Sequence, residues 1–188
     1  MNNNMIRIRK ATIDDAAYIA DGIYHAFLLD DDDLYDCWIK ILKSVCSQQD
    51  THYSYTNTFI AELDGEVAGM MIAVDGRDYQ DQRARMFPQL KGLFDVAFGR
   101  GWDEMADEAR PGEYYIDSLS VSSMYRHRGV GTALIGYAKE HAKRIGIERV
   151  TLAVEPMNTA KTLYQRLGFR YEREITIFKE IYHLYVSR

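Results

Sequence analysis

The chain has 188 residues, 47% of them apolar and 27% charged, and is long enough to bury a sizeable hydrophobic core. With 23 basic and 28 acidic residues, the net charge of −5 disfavours a general nucleic-acid-binding protein. No apolar run reaches the length of a membrane span, and the start, MNNNMIRIRK, lacks a signal-peptide pattern. We therefore expect a soluble cytoplasmic protein without membrane association. Cys37 and Cys46 lack disulfide-framework or metal-ligand spacing, so we expect reduced thiols and no metal.

The first part of the chain predicts a strand followed by two helices. Residues 6–9 alternate between apolar and basic side chains, which is typical of a short strand. Thr12-Ile13-Asp14-Asp15 forms a capping box, and apolar residues then recur at helical spacing as far as Phe27. A second helix is predicted around residues 38–45, after an acidic stretch at residues 30–36.

A hairpin and a helical insertion are predicted next. Residues 56–75 contain two apolar-rich runs joined by Asp64-Gly65, a dipeptide that accepts the positive φ angles of a tight turn. Within residues 76–112, six apolar residues between Met86 and Phe98 have helical spacing, and glycine and proline mark loops around them. We interpret this segment as an inserted helix with flexible flanks.

The remaining sequence predicts a strand, helix, strand arrangement with a short helix and two strands after it. The strands are residues 113–121 and 149–154, and the helix between them begins near Val130. Strands joined by such a crossover pair in parallel. A short helix at residues 158–167 and two antiparallel strands complete the prediction.

These elements predict one layered α+β domain over residues 1–188. The sheet is expected to be mixed and mostly antiparallel, with a central parallel pair of strands and helices on both faces. The segment at about 76–112 is expected to be an insertion in that domain. We find no internal repeats and no low-complexity segments.

The stretch YRHRGVGTALIGYA, which begins at Tyr125, combines a glycine-rich turn with the start of a predicted helix. Such a turn directs backbone N–H groups into a concavity, and the helix dipole favours an anion such as phosphate. A dinucleotide-binding fingerprint is disfavoured because Leu134 stands where Gly or Ala is needed. A P-loop is disfavoured because Thr132-Ala133 lacks the required lysine.

The pattern R-x-x-G-x-G from Arg126 to Gly131 resembles the pyrophosphate-binding motif of the GNAT superfamily of acyl-CoA-dependent N-acyltransferases. A second block, NTAKTLYQRLGF at residues 158–169, resembles the family pattern N-x-x-A-x-x-L-Y-x-x-x-G-F. The resemblance covers residues 113–185 by motif and element order and residues 5–75 by element order. The insertion at 76–112 departs from it, because most family members have a shorter connection there.

The resemblance implies acetyl-CoA as co-substrate. Backbone amides of the glycine-rich turn would hold the pyrophosphate, and the end of the strand at 113–121 would pair with the pantetheine arm. That pairing requires the two parallel strands to splay apart, which leaves backbone groups for the arm to satisfy. The residues assigned to coenzyme A are Leu119, Val121, Arg126, Arg128, Gly129, Val130, Gly131, Thr132 and Asn158.

Acyl transfer to an amine needs a group that takes the amine proton and a group that protonates the departing thiolate. By resemblance, Tyr164 is the acid. Asp117 and Glu113 are candidates for the base, and Asp117 is preferred because it lies four residues before Val121. The backbone N–H of Val121 is a candidate donor to the developing oxyanion.

Simpler structural roles remain open for several of these residues. Tyr164 is also compatible with a half-buried aromatic of an amphipathic helix, Asn158 with a helix cap, and Asp117 with an ordinary hydrogen-bonded strand residue. We interpret His127 and His141 as structural.

The leading functional hypothesis is an N-acetyltransferase that acetylates a primary amine by direct attack in a ternary complex. The alternative is a non-catalytic acyl-CoA-binding regulatory module of the same fold. Transfer of a longer acyl group or transfer to an oxygen nucleophile also stays open. The acidic stretch at 30–36, with Asp75, Asp78 and Asp81, favours a cationic small-molecule or protein amine, and residues 28–38 and 76–112 are expected to shape its pocket. A homodimer is possible.

Overall fold

The structure is a computed structural model that describes residues 5–27, 32–97, 99 and 108–188. The chain divides into two compact units. The first comprises residues 1–73 and 118–137, and the second comprises residues 74–117 and 138–188. The assignment of residues 1–188 to a single domain stays a prediction.

Seven strands and five helices of four or more residues lie within the described part of the chain. The strands are β1 (Ile6–Lys10), β2 (Thr58–Leu63), β3 (Glu66–Asp75), β4 (Glu113–Val121), β5 (Arg149–Val154), β6 (Arg170–Ile177) and β7 (Glu180–Ser187). The helices are α1 (Ala16–Ala26), α2 (Asp32–Cys46), α3 (Tyr79–Ala97), α4 (Val130–Arg144) and α5 (Lys161–Arg166).

The strands form one sheet in the order β1-β2-β3-β4-β5-β7-β6. The pairs β1–β2, β2–β3, β5–β7 and β6–β7 are antiparallel, whereas β4 and β5 are parallel. The predicted α+β class, with a mostly antiparallel sheet and one parallel pair of strands, is therefore confirmed.

Two tight hairpin turns have positive backbone φ angles. The predicted hairpin is confirmed, because β2 and β3 pair antiparallel and the turn residues Asp64 and Gly65 have φ of 55° and 92°. The hairpin between β6 and β7 turns through Phe178 and Lys179, with φ of 50° and 69°. The sequence predicts both strands but not this turn, because neither residue favours left-handed backbone.

In the first unit, the predicted capping box lies at a 3-10 turn, Ile13–Asp15, that leads directly into α1. The Asp15 carboxylate accepts hydrogen bonds from the Thr12 amide at 2.7 Å and from the Arg9 guanidinium at 2.7 and 2.8 Å. The buried face of α1 then packs against α2, where the ring of Tyr24 meets that of Trp38 edge to face at 6.2 Å. The box holds the turn that leads into α1, and the aromatic contact helps to hold the two helices together.

In the second unit, helices cover both faces of β4. The ring of Tyr114 lies 5.4 Å from that of His141 on α4, whereas the ring of Tyr115 lies 6.1 Å from that of Tyr79 on α3. Because successive side chains of a strand point to opposite faces, α3 and α4 lie on opposite sides of this strand.

Helix α3 confirms the helix predicted in the insertion. Its apolar residues Met86, Leu90, Leu93 and Phe94 are buried, and the ring of Phe94 meets that of Phe178 at 5.4 Å. Residues 98 and 100–107 of the predicted insertion lie outside the described residues. None of the described helices is both long enough and apolar enough to cross a membrane.

Candidate active site

The loop between β4 and α4 belongs to the first unit and has an unusual backbone. After a 3-10 turn at residues 123–125, His127 and Gly129 adopt positive φ angles of 60° and 88°, and α4 begins at Val130. The Ala133 amide donates to the Gly129 carbonyl at 3.0 Å as the first turn of the helix closes. The preceding amides in a helix N-terminus have no intrahelical acceptor, so this end of α4 can bind an anion.

The two predicted arginines of this loop lie in different surroundings. Arg126 Nε donates to the Val121 carbonyl oxygen at 3.3 Å, which links the loop to the last residue of β4. The Arg128 guanidinium lies 3.5 Å from the Asp64 carboxylate and 5.6 Å from the ring centroid of Tyr125. Both guanidinium groups can add positive charge near the helix N-terminus, and each is oriented by a neighbour.

The end of β4 approaches β3 closely within the first unit. The Ser122 amide donates to the Ala68 carbonyl at 3.0 Å, and a Cβ built on Gly69 would lie 2.8 Å from the Ser120 carbonyl oxygen. Leu119 and Val121 therefore lie on a strand end that is fixed against its neighbour.

The pairing of β4 with β5 covers only part of each strand. The register runs from Glu113 opposite Arg149 to Ile116 opposite Leu152, although β4 continues to Val121 and β5 to Val154. Asp117 is the first residue of β4 beyond this register.

The two candidate bases have different environments within the second unit. Glu113 is buried, and its carboxylate accepts hydrogen bonds from Arg149 Nε at 2.9 Å and from the Arg110 amide at 3.1 Å. Arg149 Nη2 also donates to both oxygens of the Glu172 carboxylate, at 2.6 and 2.7 Å. Asp117 is partly buried, and its charge contributes to raising the pKa of Tyr115 after the larger effect of burial. Glu113 is thus engaged in a fixed network, and the preference for Asp117 as the base stays a prediction.

Tyr164 lies within α5, and Asn158 lies three residues before the helix begins. The partly buried Tyr164 ring packs edge to face on Phe169 at 6.2 Å, and burial raises the pKa of the Tyr164 hydroxyl. Asn158 is exposed, and its Oδ1 accepts a hydrogen bond from the Ala160 amide at 2.9 Å. This contact is a local Asx-turn hydrogen bond and not a helix cap, because the N-cap of α5 is Ala160, which has no side-chain cap hydrogen bond.

The family pattern places its asparagine three residues before the alanine, whereas Asn158 precedes Ala160 by two. Met157, which is 90% exposed, stands at the pattern position. The coenzyme A contact of Asn158 therefore stays a prediction.

Sequence reasoning did not find a buried group around Glu108. Its carboxylate accepts hydrogen bonds from Tyr79 and Tyr115 in the second unit. Glu108 lies near the end of the predicted insertion, outside any periodic pattern, so no signal in the sequence could have marked it. Across residues 5–27, 32–97, 99 and 108–188, no three His, Cys, Asp or Glu side chains are grouped as a metal site would require.

Comparisons with known proteins fit this architecture. A family model described as the acetyltransferase (GNAT) family matches residues 24–169. An N-acetyltransferase structure from Staphylococcus aureus Mu50 has a TM-score of 0.79 and 22% identity, and the match covers 96% of this chain and 100% of that chain. The PaiA N-acetyltransferase of Thermoplasma acidophilum, solved in complex with coenzyme A, has a TM-score of 0.56 and 16% identity. That match covers 96% of this chain and 98% of that chain. At these identities the structures establish the fold alone.

A sequence relative is similar over a shorter stretch. The mycothiol acetyltransferase of Propionibacterium freudenreichii subsp. shermanii is 38% identical over 74 residues, which are 38% of this chain and 23% of that protein. The alignment thus spans less than a quarter of the relative. The family model, in contrast, covers most of the present chain, and this protein belongs to the GNAT family of acetyltransferases.

Proposed function

We propose that this protein transfers an acetyl group from acetyl-CoA to a primary amine by direct attack in a ternary complex. The observation that carries the proposal is the loop from Arg126 to the start of α4, where positive φ angles at His127 and Gly129 lead into an open helix N-terminus. Such an end suits a pyrophosphate, because it offers several N–H donors and a favourable dipole. The coenzyme A complex of the PaiA relative supports this choice of anion.

The chain's own residues fit the binding of coenzyme A. The amides from Arg128 to Thr132, which include Val130 and Gly131, would donate to the pyrophosphate, and Arg126 would add charge. The strand end at Leu119 and Val121 would offer backbone groups to the pantetheine arm. The early end of the β4–β5 register supports this second role, since strand residues beyond a ladder have backbone groups to share.

Acetyl-CoA would supply an acyl carbon activated as a thioester. In the proposed reaction, the amine nitrogen forms a bond to this carbon, Asp117 takes the amine proton, and the carbon–sulfur bond breaks. Tyr164 donates its hydroxyl proton to the departing sulfur and then regains a proton from solvent, while Asp117 releases the amine proton to solvent. The Val121 amide is the proposed donor to the carbonyl oxygen as its negative charge develops.

An acceptor with positive charge is part of the proposal. Of the acidic residues that motivate it, Asp78 and Asp81 are exposed, whereas Asp75 is engaged by Arg77, whose Nε lies 3.0 Å from its carboxylate. That hydrogen bond lowers the pKa of Asp75. Residues 28–31 lie outside the described residues.

The proposed function is tested by incubating the protein with acetyl-CoA and a panel of primary amines and measuring released thiol. We expect thiol release that requires both the protein and an amine, with the acetylated amine detected by mass spectrometry. Calorimetric binding of coenzyme A with no thiol release from any amine would instead support the non-catalytic acyl-CoA-binding module.

A further inference from the structure

Lys139 on α4 contacts the C-terminal end of α5 within the second unit. Lys139 is partly buried, and its ammonium group donates to the Leu167 carbonyl at 2.9 Å. Leu167 is the C-cap residue of α5, and the last carbonyls of a helix lack intrahelical donors. A cation suits this end because the helix dipole makes it negative. Lys139 therefore holds one end of α5 from a different helix.

Phe169 provides a second contact for the same ammonium group. The Lys139 ammonium lies 5.6 Å from the centroid of the Phe169 ring, which is a favourable cation–π distance. Phe169 follows the turn at Gly168, whose φ is 86°, and is 2% exposed. The ammonium group thus contacts both residues that flank Gly168, one through a carbonyl and one through a buried ring.

Both residues that Lys139 contacts are also bonded to Tyr164. The amides of Leu167 and Phe169 donate to the Tyr164 carbonyl at 3.1 and 3.0 Å. The Phe169 ring also meets the Tyr164 ring edge to face at 6.2 Å. Two short links therefore run from the ammonium group to Tyr164, one through the backbone and one through the Phe169 ring.

Helix α5 is too short to hold its orientation by itself. It has six residues, Lys161–Arg166, all of which the structure describes and none of which is fully buried. Its N-cap residue, Ala160, has no side-chain cap hydrogen bond. Isolated helices of fewer than about 12 residues are marginal in water, so contacts with neighbouring elements fix the direction of this one. Lys139 supplies such a contact at the end that follows Tyr164.

We propose that Lys139 is a positioning residue for Tyr164, the acid of the proposed reaction. By holding Leu167 and Phe169, the ammonium group keeps the Tyr164 hydroxyl directed at the departing sulfur. Lys139 exchanges no proton and touches no reacting atom, so the proton transfer stays that of Tyr164. The inference rests on the proposed acetylation of amines, and it adds a residue of α4 that neither sequence motif contains.

The first test is Lys139→Met, which keeps an unbranched stem and removes the donor and the charge. With the amine that gives the most thiol release, we expect kcat to fall about tenfold, because a misdirected acid transfers its proton less readily. KM for acetyl-CoA should change less than about twofold. The exposed Lys143→Met, on the same helix, is the matched control for charge and should keep full activity. Lys139→Arg retains a cationic donor and should keep at least about half of the original kcat.

A double-mutant cycle separates positioning from a general structural role. In the Tyr164→Phe protein, we expect Lys139→Met to lower kcat by less than about twofold, because no hydroxyl is left to direct. Equal losses of kcat with and without the Tyr164→Phe substitution would overturn the inference. If Lys139→Met does not fold, Lys139→Ala replaces it in the cycle, because alanine has the highest helix propensity.

A readout without turnover distinguishes this inference from the proposed function. Nuclear Overhauser effects between the rings of Tyr164 and Phe169 should be as strong in Lys143→Met as in the unmodified protein, and weaker in Lys139→Met. Such weakening without thiol release from any amine supports the placement of Tyr164 by Lys139 and contradicts the acetyltransferase function. An unchanged kcat in Lys139→Met overturns the positioning role and leaves that function intact. Unchanged ring contacts without any thiol release overturn both.

Discussion

A Cβ on Gly76 would overlap the carbonyl oxygen of Arg110, so the two backbones touch where the segment that contains α3 leaves and rejoins the sheet. The Gly76 amide donates to the Glu113 carbonyl at 2.8 Å, and the Glu113 amide donates to the Arg110 carbonyl at 3.0 Å. We predict that Gly76→Ala destabilises the protein by about 1–3 kcal/mol, because backbone atoms must move to make room. Urea unfolding followed by circular dichroism measures this loss.

The control for that substitution is Gly92→Ala in α3. Gly92 is exposed, and a Cβ there would meet no atom within 4 Å. We expect stabilisation by about 0.5–1 kcal/mol, because alanine loses less backbone entropy than glycine in a helix. If Gly76→Ala and Gly92→Ala changed the free energy of unfolding by the same amount, the close approach of Gly76 to Arg110 would not be the cause of the destabilisation.

Local signals in the sequence predicted the elements well because their causes lie within a few residues. The Thr12–Asp15 box depends on hydrogen bonds between its own residues, and the Asp64-Gly65 turn depends on the φ preferences of its two residues. Both are found where predicted. The contact of Gly76 with Arg110 joins residues more than thirty positions apart, and no periodicity marks it.

In the candidate site too, features with local causes were predictable from the sequence, and features that depend on distant contacts were not. The loop that ends at Gly129 lies between strand and helix as its pattern indicates, since glycine spacing and helix periodicity are local. The sequence favoured Asp117 over Glu113 as the base, but it could not show the ion pair of Glu113 with Arg149, because that contact depends on strand register. Glu108 was missed because its two tyrosine partners come from α3 and β4.

Asp15 links protein stability to pH through its contact with Arg9. The hydrogen bonds from that guanidinium lower the pKa of Asp15. A carboxyl whose pKa is lower in the folded than in the unfolded state stabilises the fold above the unfolded pKa, and this stabilisation is lost as the pH falls through the folded value. We therefore predict that Asp15→Asn costs about 1–3 kcal/mol at pH 7 and progressively less as the pH falls below about 4.

Thermal or urea unfolding of the two proteins between pH 7 and pH 2.5 measures that difference. The neighbouring Asp14→Asn is the control because Asp14 is exposed, and it should change stability by less than about 0.5 kcal/mol. A difference between Asp15→Asn and the unmodified protein that stayed constant with pH would contradict the ionic origin of the effect.

Tyr164→Phe tests the proposed acid. Because burial raises the pKa of Tyr164, its hydroxyl stays protonated at neutral pH and can donate a proton to the departing sulfur. We predict a fall in kcat of about 10²-fold, with the calorimetric affinity for coenzyme A changed less than about twofold. Tyr171→Phe, at an exposed tyrosine of the same unit, is the control and should retain full activity. An unchanged kcat in Tyr164→Phe would remove Tyr164 from the mechanism.

Gly129→Ala tests the loop that the proposed function depends on. Gly129 has a φ of 88°, which a residue with a Cβ adopts only at a cost of about 1–2 kcal/mol. A Cβ there would come no closer than 3.6 Å to Ile6, so the effect is conformational rather than a clash. If relaxation of the backbone displaces the amides at the start of α4, affinity for coenzyme A should fall by about tenfold or more, as isothermal titration calorimetry can measure. Gly136→Ala lies in the same helix without a positive φ or any atom near its Cβ, and it should bind coenzyme A normally. Equal affinities in the two variants would show that the backbone of this loop does not hold the phosphates.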